Sequence, residues 1–179
     1  MDDSTFLRRA SLALNGIQPT ADEVRAFIND ASSQKRLHKV DELLRRSRYA
    51  DYWAFRLRQW VRELREVKGQ GMDSKTLYFY AREAMGENRS WARIASDLIN
   101  SQGNIKYDGS ANFAVQLSGE PAELGEGTAR MFLGVNIACA QCHDHPYVDE
   151  WERMSYWRFA SYFARMEVKG FGGDKLASR

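Results

Sequence analysis

Apolar residues in this chain recur three and four positions apart in segment after segment, the period that gathers them onto one side of an α-helix. Only three prolines fall in 179 residues, so little interrupts that period, and the expected fold class is all-α. Ser4 is placed to cap a first helix with Phe6, Leu7, Ala10 and Leu14 inward, ending at Asn15-Gly16. Thr20 and Glu23 have capping-box spacing, in which each side chain satisfies an amide of the first turn. Val24, Phe27 and Ile28 follow as the buried stripe of that second helix. A third carries Leu37, Val40, Leu43 and Leu44 on one face. The stretch from about Tyr49 to Val67 is the most amphipathic, with Trp53, Trp60, Val61 and Leu64 together. Lys68-Gly69-Gln70-Gly71 breaks it, and Asp73 or Ser74 restarts a helix through Leu77, Tyr80, Ala81 and Ala84. Ser90 caps the next, with Trp91, Ile94, Ala95 and Leu98 inward.

Residues 101–120 are rich in Gly, Asn and Ser and read as the longest loop. Pro121 opens a helix through Leu124, Ala129, Phe132 and Leu133 to Gly134, and an aromatic last helix runs from roughly Glu150 to Met166. The expectation is an irregular multi-helix domain of about seven to eight helices with that loop near 101–120 and no strand pair. Residues 1–169 read as a single domain and 170–179 as a flexible tail or linker. A net charge of +2 is too small to argue for nucleic acid. No apolar run approaches the roughly 20 residues that span a bilayer. Nor is there a basic start followed by an apolar stretch, the pattern of a signal peptide.

Cysteine usage narrows the chemistry. The chain has two, Cys139 and Cys142, in the pentapeptide Cys139-Ala140-Gln141-Cys142-His143. A disulfide scaffold spreads its cysteines to close large loops; these close almost none, so their value is local. Side chains three apart on a helical turn point the same way. Two such thiols can add to the vinyl groups on one edge of a porphyrin, and the following imidazole lies where it ligates the iron. This is the c-type haem signal, here preceded by the apolar run Met131 to Ala138. Cys139 and Cys142 are thus the attachment residues and His143 the proximal ligand of haem c. Zinc is the alternative cofactor: Cys139, Cys142, His143 and His145 supply four N/S donors, although within seven residues they crowd a tetrahedron. A local redox disulfide is a further option.

For the sixth iron position Met154 is the distal candidate on the last helix, with Met131, Met166 and His38 also weighed. His145 stands too close in sequence to reach the opposite face of the same ring. A nearby carbonyl is expected to accept the ring proton of His143 and fix its tautomer. Trp157, Phe159, Tyr162 and Phe163 are candidates to wall a crevice, Arg130 and the arginines from Arg56 to Arg65 to pair with propionates. An open sixth position would make the domain an enzyme rather than an electron carrier; the residues leave that choice open.

Phe132-Leu133-Gly134-Val135, then Cys139-Ala140-Gln141-Cys142-His143-Asp144-His145-Pro146 and Trp151, resemble the second planctomycete-specific cytochrome-like domain, a family of unknown function. The start agrees: Phe6-Leu7-Arg8-Arg9, Leu12, Leu14, Gly16 and Pro19-Thr20 through Glu23-Val24, then Asp41-Glu42-Leu43-Leu44 and Tyr52-Trp53. The resemblance runs from about residue 3 to 166. It implies one part of a larger exported protein, periplasmic or extracellular, followed by a further uncharacterised domain. It also implies a redox partner protein or a neighbouring cytochrome domain as the electron partner.

Overall fold

The computed structural model describes residues 1–64 and 75–168 and the backbone of 169 and 177–178. The architecture is all-α. Asp3–Asn15 forms α1, Ala21–Asn29 α2, Lys35–Arg45 α3 and Ser47–Glu63 α4. Beyond them lie α5 (Lys75–Gly86), α6 (Trp91–Ile99), α7 (Asn112–Gln116), α8 (Pro121–Thr128) and α9 (Arg153–Ser161). The expected break at Lys68-Gly69-Gln70-Gly71 and restart at Asp73 or Ser74 lie outside the described residues, as does most of the expected tail.

Local chemistry explains the helix ends. Asp2, not Ser4, caps α1: its carboxylate accepts the Thr5 N–H at 2.8 Å and the Ser4 hydroxyl at 2.7 Å. A carboxylate there adds charge–dipole attraction to the hydrogen bond, so it displaces the hydroxyl two residues later. Those bonds hold the Asp2 carboxyl well below the usual carboxylate range. The helix closes on Gly16 at φ +69°, where a Cβ would meet the Tyr52 ring at 2.3 Å. The capping box of α2 is complete, with Thr20 N–H to Glu23 at 2.8 Å and Glu23 N–H to Thr20 at 3.2 Å. Arg46 then ties α2 to α3 by pairing with Glu23 at 2.6 Å and with Glu42, and Lys35 and Arg36 close on Asp3 of α1 at 2.7 and 2.8 Å.

The main core gathers Ala54, Leu57 and Val61 of α4, Leu77, Ala81 and Ala84 of α5, and Ile94 and Leu98 of α6. Phe113, Leu117, Leu124 and Phe163 complete it from later segments. In α2 only Phe27 is buried, and Ile28 of its expected stripe is exposed; in α3 Leu43 is buried while Leu37 and Leu44 are exposed. Trp91 is 42% exposed although Ile94 and Leu98 of the same helix are buried.

The segment 101–120 departs most from its expected form. It is largely buried and contains α7. Polar side chains of the segment and of α5 satisfy its inward backbone: Asn112 donates to the Gly109 carbonyl at 3.0 Å and to the Thr76 hydroxyl at 3.1 Å, and Thr76 of α5 donates to the Ile105 carbonyl at 2.6 Å. A buried irregular segment must find such partners, which is why its composition imitates a surface loop. Gly109 has no room for a side chain, because a Cβ would lie 2.2 Å from the Thr76 carbonyl oxygen. No strand pair is expected from the sequence, yet β1 (Gly103–Asn104), β2 (Val168–Lys169) and β3 (Ala177–Ser178) pair antiparallel in the order β1-β3-β2. At two residues each they are too short to show alternation. The last helix, α9, is shorter than its aromatic run, since residues before Arg153 are taken up by a turn that closes on its N-terminus.

A Cys-x-x-Cys-His turn as the candidate cofactor site

The approach to the motif is a change of helix type. After Thr128 the α8 helix widens into a π-turn, Ala129–Leu133, and ends at Gly134 with φ +68°. The Gly134 N–H and, at 3.2 Å, the Val135 N–H both donate to the Ala129 carbonyl. Space around Gly134 is open, so the positive φ alone is the reason for glycine there.

Ala138–Gln141 then forms a 3-10 turn. The Asn136 side chain accepts the Ala138 N–H at 3.1 Å at its entrance. Cys139 lies within this turn and Cys142 is its C-cap. Both cysteines are exposed free thiols. Ala140, between them in the chain, is fully buried against Tyr156 and Ala160 of α9 with Ala122 and Ile137 at its edge. The Trp157 indole N–H donates to the Gln141 carbonyl at 3.2 Å, a second tie between turn and helix. The turn is therefore anchored from behind and presents its sulfurs outward.

His143 is exposed, and its Nδ1 lies 2.7 Å from the Asp144 carbonyl. A carbonyl oxygen only accepts, so Nδ1 is the donor in this contact. The expected carbonyl partner is thus the next residue's own. The Asp144 carboxylate accepts the Arg153 N–H at 2.8 Å, standing in for a cap that Glu152 does not provide. His145 faces differently. Its Nδ1 accepts the Tyr147 N–H at 3.2 Å, its ring stands edge-on to Trp151 with centroids 5.1 Å apart, and its backbone N–H reaches the Trp151 carbonyl at 2.9 Å. Among the described residues no three His, Cys, Asp or Glu side chains gather closely enough to hold a metal ion.

Beside the turn runs an apolar groove of about 200 Å³. Leu133, Val135, Ile137 and Ala140 line it together with Trp151, Tyr156 and Phe159. Burial pushes the Tyr156 phenol up, and its hydroxyl donates to the Ala122 carbonyl at 3.3 Å. Of the aromatics expected to wall a crevice, Phe159 does so, Trp157 binds the turn's backbone, Phe163 joins the main core and Tyr162 is exposed. Met154 is 57% exposed and lines none of the described cavities, Met166 packs on the main core, and Met131 lines a separate recess. His38 is exposed on α3, which packs on α1 and α4. Arg130 lies on the π-turn facing that separate recess.

Reading the sequence misses Ala140, Ile137, Ser155 and Tyr156 as parts of the site. Of these the apolar run Met131 to Ala138 holds Ile137 and the aromatic last helix holds Tyr156, and neither pattern says which residues face the turn. None of the described helices is long and apolar enough to cross a membrane. One family model, described as PSCyt2: Protein of unknown function (DUF1549), matches residues 1–168. No curated protein and no solved structure matches the chain.

Proposed function

The chain belongs to that family of unknown function, PSCyt2, since the match spans nearly all of it, and for this member we propose a c-type haem-binding domain that transfers electrons within a larger exported protein. The observation that carries the reading is the anchored turn: two exposed thiols, a fully buried Ala140 between them in the chain, and a following imidazole whose Nδ1 is engaged. The donor set fits the group. Cys139 and Cys142 would form the two thioethers and His143 would ligate the iron through Nε2, its tautomer fixed by the Asp144 carbonyl as ligating histidines require. The groove lined by Leu133, Val135, Ile137 and Phe159 offers an apolar neighbour for a porphyrin edge. The haem would supply one-electron chemistry; its potential would follow from the axial ligands, their hydrogen bonds and burial. Met154 remains the proposed sixth ligand, and the electron partner a redox protein or an adjoining cytochrome domain, outside the cytoplasm.

Expression with haem-attachment machinery tests this. The expected product has a Soret band and a pyridine haemochrome of the two-thioether type, both lost in Cys139→Ser/Cys142→Ser. A colourless product beside a control cytochrome that matures normally overturns it. The second reading is a structural or interaction module with zinc or a local disulfide at this turn, favoured by the two free thiols standing exposed three residues apart. Elemental analysis and thiol titration of the purified chain separate the two.

A further inference from the structure

On the other side of the π-turn from the motif lies a second recess of about 350 Å³, within the size range of small-molecule pockets. Trp60, Glu63 and Leu64 come from the end of α4, Trp91 from the start of α6, and Arg130 and Met131 from the π-turn. Both indoles are held from outside the recess. Trp60 stands edge-on to Trp53 with centroids 6.0 Å apart and carries the Arg56 guanidinium 5.5 Å from its ring; Trp91 leans on Phe132 at 5.7 Å. Fixed aromatic rings cost little entropy when a ligand arrives. Trp91 also stays 42% exposed where the periodicity of its helix expects burial, so a large apolar face is left at the recess.

The polar groups are one of each sign. Arg130 is exposed and makes no ion pair among the described residues, although Glu123 and Glu126 line the smaller recess it also borders. Glu63 is exposed at the end of α4. A guanidinium offers a planar fork that matches a carboxylate, and a carboxylate without a partner accepts from a hydroxyl. The π-turn brings Arg130 and Met131 to this recess while Ala129 and Leu133 line the groove beside the motif; single π-turns inside helices recur at functional sites.

We propose that this recess binds a flat aromatic acid bearing a ring hydroxyl, with Trp60 and Trp91 taking the ring, Arg130 the carboxylate and Glu63 the hydroxyl. The site stands apart from the haem reading and is tested on the haem-free 179-residue chain. Isothermal titration with 6-hydroxy-2-naphthoate is expected to show one site. Binding of 2-naphthol, which lacks the acid, is weaker by about tenfold, the effect of one charge-assisted hydrogen bond. Arg130→Gln, at an exposed position, removes that difference; Arg130→Lys restores part of it. Glu63→Gln removes the preference over 2-naphthoate, and Trp91→Ala weakens all three probes while Trp91→Phe does so less. No binding of the hydroxynaphthoate, or equal binding by the parent, Arg130→Gln and Glu63→Gln, overturns the proposal. So does tighter binding of glucuronate, which would mark a sugar acid site instead.

Discussion

Ala140 carries no reactive group, yet it decides where the sulfurs point. Its methyl is fully buried against Tyr156 and Ala160 while Cys139 and Cys142 face solvent. Ala140→Leu is expected to overpack that contact and cost about 1–3 kcal/mol in urea unfolding; a change under a few tenths would show that the turn is not anchored there. The thiols themselves support little of the fold. Cys139→Ser/Cys142→Ser should leave the urea midpoint nearly unchanged, within about 0.5 kcal/mol, and a large loss would give the pair a packing role that their exposure contradicts. At this scale the sequence declares residues with distinctive chemistry. Two cysteines and a histidine announce a site by type and spacing. Ala140, Ile137 and Ser155 do not, because a small side chain becomes part of a site only through a contact made by α9, beyond the reach of local pattern.

Helix termini are where local pattern speaks most clearly. Thr20-Glu23, Ser90 and Pro121 each begin a helix as their chemistry requires. Asp2 takes the role expected of Ser4 because both residues suit a cap and the stronger acceptor prevails. The segment 101–120 was illegible for the opposite reason: Ser101, Ser110, Asn112 and Gln116 are buried, and polar composition ordinarily marks the surface. The caps and ion pairs of α1, α2 and α3 also set a pH dependence. Glu23 is held below the usual carboxylate range, first by the Thr20 amide and then by Arg46, and Glu42 by Lys39 and Arg46. Asp3 is lowered by Lys35 and Arg36. A carboxyl whose folded pKa is depressed binds its proton more readily when unfolded. Its contribution is complete above the unfolded value near 4 and is lost as pH falls through the lower folded one. The urea midpoint should therefore fall between pH 6 and pH 3, and Glu23→Gln should flatten that fall while costing about 1 kcal/mol at pH 7. An unchanged slope in the variant would remove Glu23 from the account.

Over the whole molecule one apolar core joins α4, α5 and α6 to Phe113 of α7, Leu124 of α8 and Phe163 beyond α9. The turn's anchor, Ala140 with Tyr156 and Ala160, is a separate small cluster, and α8 and α9 connect it to this core through Leu124 and Phe159. Phe113→Ala is expected to cost about 3–5 kcal/mol, a large part of the roughly 5–15 kcal/mol that holds a domain folded. Tryptophan fluorescence and far-ultraviolet circular dichroism should then report one shifted transition. Two separated transitions would show that α8, the turn and α9 fold apart from the rest. The π-turn at Ala129–Leu133 has a consequence for this unity. Each residue of an ordinary helix advances the chain by about 100° around its axis, so the surplus residue acts as a phase offset, dialling the azimuth at which Gly134 releases the backbone. Excising Met131 alone would rewind that dial, swinging Leu133 and Val135 out of the groove and leaving the sulfur-bearing turn aimed elsewhere without altering one atom of it.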